Sequence, residues 1–184
     1  MLYFPTPGPQ NTQATIDAVI STAQDQGIKK IVVASTTGDT AQRLLGQGFD
    51  VSVVTHQAGY TAPGAQEMTP ETRDLLIQDG MQVITGTHFF AGVDRAVNRK
   101  FQGIYPAELM AHTLRLLGQG FKVCVEIAIM AMDAGQVPAN REIIAIGGTA
   151  RGADTAIIIT PAHSQDFFAT DVKEIICLPR GHRS

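Results

Sequence analysis

The sequence predicts an α/β domain, with a mixed, mostly parallel sheet and helices against both of its faces. Three observations lead there. Apolar, strand-like runs alternate with helical periods through the first half of the chain, the pattern of right-handed parallel crossovers. Only 17% of the 184 residues are charged, against ~25% in an average globular domain, so much of the chain must be covered on both sides. The late apolar runs are joined across residues 147–155 by a loop too short for a helical crossover, which makes part of the sheet antiparallel. No repeat, charge block or low-complexity linker divides the chain, and a single domain, residues 1–184, accounts for its length.

The elements follow in order. Asn11 or Thr12 caps a helix that runs to Gln26 and stops at Gly27. Ile28–Ser35 is a buried strand, Asp39–Gln47 a short helix and Val51–Thr55 a second strand. Thr69 caps the next helix, with Pro70 at its first position and Glu71 complementing the dipole; Gly80 ends it. Met81–Thr85 is a third strand, and Pro106–Leu117 a helix stopped by Gly118 and Gly120. Lys122–Ala134 suits either type by composition. Placed on a helix, Lys122, Glu126, Met130 and Asp133 fall in one arc of about 80°, whereas a strand would split them. It is therefore read as a mostly buried helix with one polar stripe. Ile143–Ile146, Ala156–Ile159 and Glu174–Leu178 complete the strands.

Composition excludes several classes of function. Fourteen basic and 17 acidic residues give a net charge of −3, without the basic patch that nucleic acids require. The longest apolar run, Val123–Met132, is broken by Glu126 and is short of the ~20 residues of a membrane span. Met1–Phe4 leads straight into Pro5, Pro7 and Pro9, unlike a signal peptide. Cys124 and Cys177 sit in apolar runs without CxxC spacing and read as buried thiols in a reducing cytoplasm. The five histidines, 56, 88, 112, 163 and 182, are scattered and form no metal motif. Apolar helices on so uncharged a domain point to a homo-oligomer.

Four segments carry potential chemistry. Ser35-Thr36-Thr37-Gly38-Asp39-Thr40 follows the first strand and opens a helix. Its N–H groups and four hydroxyls would cradle a phosphate, with Gly38 allowing close approach; the same residue types also serve as plain helix caps. Gly147-Gly148-Thr149-Ala150-Arg151-Gly152 joins two apolar strands, and either wraps a flat or anionic ligand with Arg151 as fork or is a long hairpin turn. Thr87 and His88 lie beyond the third strand, on the edge shared with Ser35, and His56 ends the second strand similarly. Lys122 and Glu126 are spaced to pair across a helical turn; otherwise Glu126, in apolar surroundings, would serve as a general acid. His163, Phe167 and Phe168 fall in a late loop that suits a lid or an interface.

The stretch Ile31–Ala41, with Ser35, Thr37, Gly38 and Thr40 in place, resembles the first strand and phosphate loop of the pyruvate kinase C-terminal domain. In the kinase that loop holds a phosphate of an allosteric sugar bisphosphate; Asp39 here stands where the kinase usually has arginine. Pro7-Gly8 with Asn11-Thr12, Thr85–His88, Lys122–Glu126 and Gly147–Thr155 extend the likeness to a family of stand-alone prokaryotic proteins of that fold. The resemblance implies a three-layer α/β/α sandwich with a five-stranded sheet whose last strand is antiparallel. It also implies flavin mononucleotide as cofactor, with no reaction assigned. Ser35, Thr36, Thr37, Gly38 and Thr40 would contact its phosphate. Thr87, His88, Gly148, Thr149 and Arg151 would lie nearer the ring, and Gly147 and Gly152 would belong to the same cofactor site. An oxidoreductase is one expectation; a non-catalytic module for a small phosphorylated metabolite is the other.

Overall fold

The computed structural model describes residues 1–181, so His182 lies outside the described residues. The described chain folds into one seven-stranded sheet: β1 (Leu2–Phe4), β2 (Lys30–Ala34), β3 (Asp50–Thr55), β4 (Gln82–Thr85), β5 (Ile143–Gly147), β6 (Thr155–Thr160) and β7 (Asp171–Pro179). Their order is β1-β7-β6-β5-β2-β3-β4. The central strands alternate between two cores. Ile31, Val33, Ile144, Ile146 and Ile158 face one, and Val32, Ile143, Ala145, Ile157 and Ile159 the other. Alternation with apolar residues on both sides is what a sheet buried on both faces requires.

Six α-helices accompany the sheet: α1 (Thr12–Gln26), α2 (Asp39–Gln42), α3 (Pro70–Gln78), α4 (Gly92–Phe101), α5 (Pro106–Leu114) and α6 (Gln119–Asp133). α1, through Ile16, Val19 and Ala23, covers one face together with Ala41 of α2 and Leu76 of α3. α6 covers the other, burying twelve of its fifteen residues. This is the expected three-layer arrangement. α1 ends as predicted, with Gly27 left-handed at φ 68°, and α3 starts as predicted, the Thr69 hydroxyl accepting from Thr72 N–H at 3.2 Å. Asn11 precedes α1 without capping it by its side chain; its amide donates instead to the Thr6 carbonyl at 2.8 Å.

Three expectations are corrected. The sheet has seven strands, not five, because the short β1 pairs parallel with β7 through Leu2–Phe4, a three-residue run with no periodicity to reveal it. The reversed strand is β6, not the last: β7 is antiparallel to β6 and therefore runs with the rest. The segment Asp39–Gln47 is helical only to Gln42, since Gly46 and Gly48 both take left-handed φ and unwind its end. α4 was not foreseen at all. It buries no residue fully, and Val93 on α4 is 77% exposed and Ile104 beyond it 81%. Both cysteines are free and buried. Among the described residues no helix is long and apolar enough to cross a membrane.

Candidate functional site

β2, β3, β4 and β5 run parallel, so the segments that follow them all leave from one edge of the sheet. From β2 the chain winds outward to β3 and β4, then returns to place β5 on the other side of β2. That reversal is where an open α/β sheet parts its loops and leaves a crevice. A cavity of about 390 Å³ occupies it, within the range of small-molecule sites. Of the residues singled out in the sequence, Ser35, Thr36, Thr37, Thr40, His88, Gly148, Arg151 and Gly152 line it. Gly38, Thr87, Gly147 and Thr149 do not.

The loop after β2 is held from behind. Ser35 is buried, its N–H donating to the Val54 carbonyl at 3.0 Å and its hydroxyl accepting from Ala41 N–H at 3.2 Å. Gly38 sits at φ 98°, and a Cβ there would come within 2.3 Å of Thr72 Cγ2 on α3. Glycine is required by that packing as well as by the backbone. The N–H groups of residues 36–40 donate to no acceptor among the described residues, and Thr36, Thr37, Asp39 and Thr40 line the cavity.

The loop between β5 and β6 is organised by Asp154, which is fully buried. One carboxylate oxygen accepts from Gly8 N–H at 3.0 Å and Thr149 N–H at 3.2 Å, the other from the Thr155 hydroxyl at 2.8 Å. Thr149 is thereby committed to the loop's own structure. Gly147 serves packing: a Cβ would approach the Gly120 carbonyl to 2.5 Å, so this glycine lets β5 lie against α6. Gly152, at φ 70°, abuts Thr12 and Pro9. What the loop presents to the cavity is Gly148, Ala150, Arg151 and Gly152. Thr87 is exposed and turned towards Gly92.

An aromatic cluster also lines the cavity. The rings of His56 and Tyr60 lie 4.0 Å apart, and each lies near His88, at 5.3 and 5.6 Å. His56 is oriented by Glu67, Nδ1 to Oε2 at 2.7 Å. Burial holds the His88 pKa below its usual value; Glu126 opposes this, and His56, Lys122 and Arg95 reinforce it. His88 is therefore a neutral imidazole at pH 7.

At the base of the cavity, Lys122 and Glu126 pair as the four-residue spacing suggested, Nζ to Oε2 at 2.5 Å, both nearly inaccessible. The second Glu126 oxygen accepts from Phe90 N–H at 3.1 Å. Both carboxylate oxygens are thus engaged, which removes the case for Glu126 as a free acid. Desolvation lowers the Lys122 pKa while Glu126 supports its charge. Asp133, at the far end of the same stripe, leaves the site and binds His163 Nδ1 at 3.0 Å and Ser164 N–H at 3.1 Å. Phe167 packs on Phe89 with ring centroids 5.6 Å apart, while Phe168 is 90% exposed.

Three arginines complete the lining: Arg95 on α4, Arg115 and Arg151. None has a carboxylate within 4.0 Å among the described residues. Arg95, Arg115, Gln119, Tyr60 and Glu67 were missed from sequence. The alternating charges of Asp94-Arg95 and Arg99-Lys100 within an apolar pattern were the available signal for α4; the loop carrying Tyr60 and Glu67 offered none.

Mixed sheet, helices on both faces and a polar cavity at the strand reversal define the class of this α/β domain. Residues 13–159 match the family model for the pyruvate kinase alpha/beta domain. The chain belongs to that family.

Proposed function

We propose that the cavity binds flavin mononucleotide, the protein acting as a flavoprotein whose reaction is still to be assigned. The observation that carries this reading is the presence of two chemistries in one cavity. Hydroxyls and backbone N–H groups of the loop after β2, with arginines that have no acidic partner, line the same cavity as the His56–Tyr60–His88 ring cluster. A dianionic phosphate monoester suits the first, and a flat conjugated ring stacks or edges against the second. Residues 35–40 would hold the phosphate, and His88, Gly148 and Arg151 would border the ring. When bound, the flavin would supply hydride or one-electron transfer, the protein supplying orientation and electrostatics. Neutral His88 can donate or accept a hydrogen bond at such a ring.

A second reading, a non-catalytic module for a small phosphorylated metabolite, is favoured by the arginine count, since three guanidinium groups exceed what a single phosphate needs. Thermal-shift titration separates the two, because a ligand at 100 times its Kd adds about 2.7 kcal/mol of stability. Flavin mononucleotide is expected to raise the Tm of the wild type. Thr37→Glu, at an exposed position, should weaken that binding at least tenfold by placing a carboxylate among the phosphate donors. Equal shifts for wild type and variant would refute the site. A shift with sugar bisphosphates and none with flavin would favour the second reading.

A further inference from the structure

A small recess of about 100 Å³ opens beside the main cavity, between α4, α5 and α6. Phe90, Arg95, Glu108, His112, Arg115 and Lys122 line it, and Arg95, Arg115 and Lys122 line the main cavity too. The recess has room for about three waters at ~30 Å³ each, the size of an oxyanion group rather than of a metabolite. Its charge is not balanced. Lys122 is offset by Glu126 at 2.5 Å. Glu108 accepts from the Asn98 amide at 2.9 Å, and even counted against one arginine it leaves the other guanidinium uncompensated. Arg115 uses only Nε, towards Gln119 Oε1 at 2.6 Å, and Arg95 makes no hydrogen bond among the described residues. Like charges gathered around one small recess repel unless something neutralises them. Both arginines also act on Lys122, helping to depress its pKa.

We propose that this recess is an oxyanion subsite, taking the carboxylate or phosphate head of a small second ligand that lies against the one in the main cavity. The guanidinium forks would bind two oxygens in parallel, and Lys122 would add a point charge from below. The subsite shares Arg95, Arg115 and Lys122 with the main cavity but includes no residue of the loop after β2, so blocking that loop tests it separately from the flavin reading.

The test uses Thr37→Glu as parent, so that the loop is closed to anions, and titrates it calorimetrically at low salt with inorganic phosphate and with malonate. The parent is expected to bind at least one probe. Arg115→Met should weaken that binding at least tenfold, and Arg115→Lys should recover part of it. Preference for malonate identifies an organic acid as the natural occupant, and preference for phosphate a phosphate group. In the absence of probe, Arg115→Met should melt no lower than its parent, since it relieves repulsion. Failure of both probes to bind the parent, or binding undiminished by Arg115→Met, would overturn the proposal.

Discussion

Replacing Glu126 by alanine strands the Lys122 ammonium in a site where it is only 7% exposed and leaves Phe90 N–H without its acceptor. Breaking a buried ion pair from one side costs about 3–5 kcal/mol. An independent ceiling comes from deprotonation. A lysine that titrates near 10.4 in the unfolded chain needs about 4.6 kcal/mol to become neutral at pH 7, at 1.36 kcal/mol per pH unit. Because Lys122 borders a cavity, the expected loss is at the lower end, about 3 kcal/mol. For a chain of this length that is a fall in Tm of roughly 6–12 °C. The penalty should also shrink with rising pH. Once Lys122 is neutral in the folded variant and still protonated in the unfolded one, the unfolded state binds more protons and stability rises with pH. The assay is urea denaturation of wild type, Glu126→Ala, Lys122→Met and the double Lys122→Met/Glu126→Leu, at pH 7 and pH 9. The double variant should lose less than Glu126→Ala, since it leaves no charge unpaired. A Glu126→Ala loss under about 1 kcal/mol, or a double variant worse than the single, would refute the reasoning.

Two further outcomes follow from the site. Asp154→Ala removes the acceptor of two backbone N–H groups and a hydroxyl; at 1–3 kcal/mol for each buried donor left unmade it should cost about 3 kcal/mol or more, read as a Tm drop, and should weaken ligand binding through residues 148–152. His88 should titrate below ~6.5 when followed by NMR of its ring proton, because burial disfavours its charged form. Folded His88 binds its proton later than the unfolded chain, so stability is lost as pH falls from ~6.5 towards the lower folded value, and His88→Gln should flatten that part of the curve. A midpoint at or above ~6.5 contradicts it.

Most of the sheet and the principal helices were legible because burial leaves a pattern: Ile143–Ile146 and Ala156–Ile159 read as strands whatever lies around them. α6 was legible through its charges, since Lys122, Glu126 and Asp133 share a face only on a helix. β1 was not, because its place depends on β7, some 170 residues away in sequence. Half of the cavity was similarly hidden. The loops after β2, β4 and β5 announce themselves by glycines and hydroxyls, but Arg95 and Arg115 look like ordinary surface arginines until the fold brings α4 and the end of α5 to the cavity. Glycines misled in the other direction: Gly38 and Gly147 are explained by contact with Thr72 and Gly120, and Thr149 by Asp154.

The central claim is that one cavity at the β2–β5 reversal holds a phosphorylated planar ligand. Titration of flavin mononucleotide with the protein, followed by quenching or shift of the flavin fluorescence and by equilibrium dialysis, tests it most directly. Saturable uptake of one flavin per chain, competed by inorganic phosphate and weakened at least tenfold in Thr37→Glu, is the expected result. A flavin signal unchanged at protein concentrations up to about 1 mM, where binding free energy falls to roughly 4 kcal/mol, would contradict it.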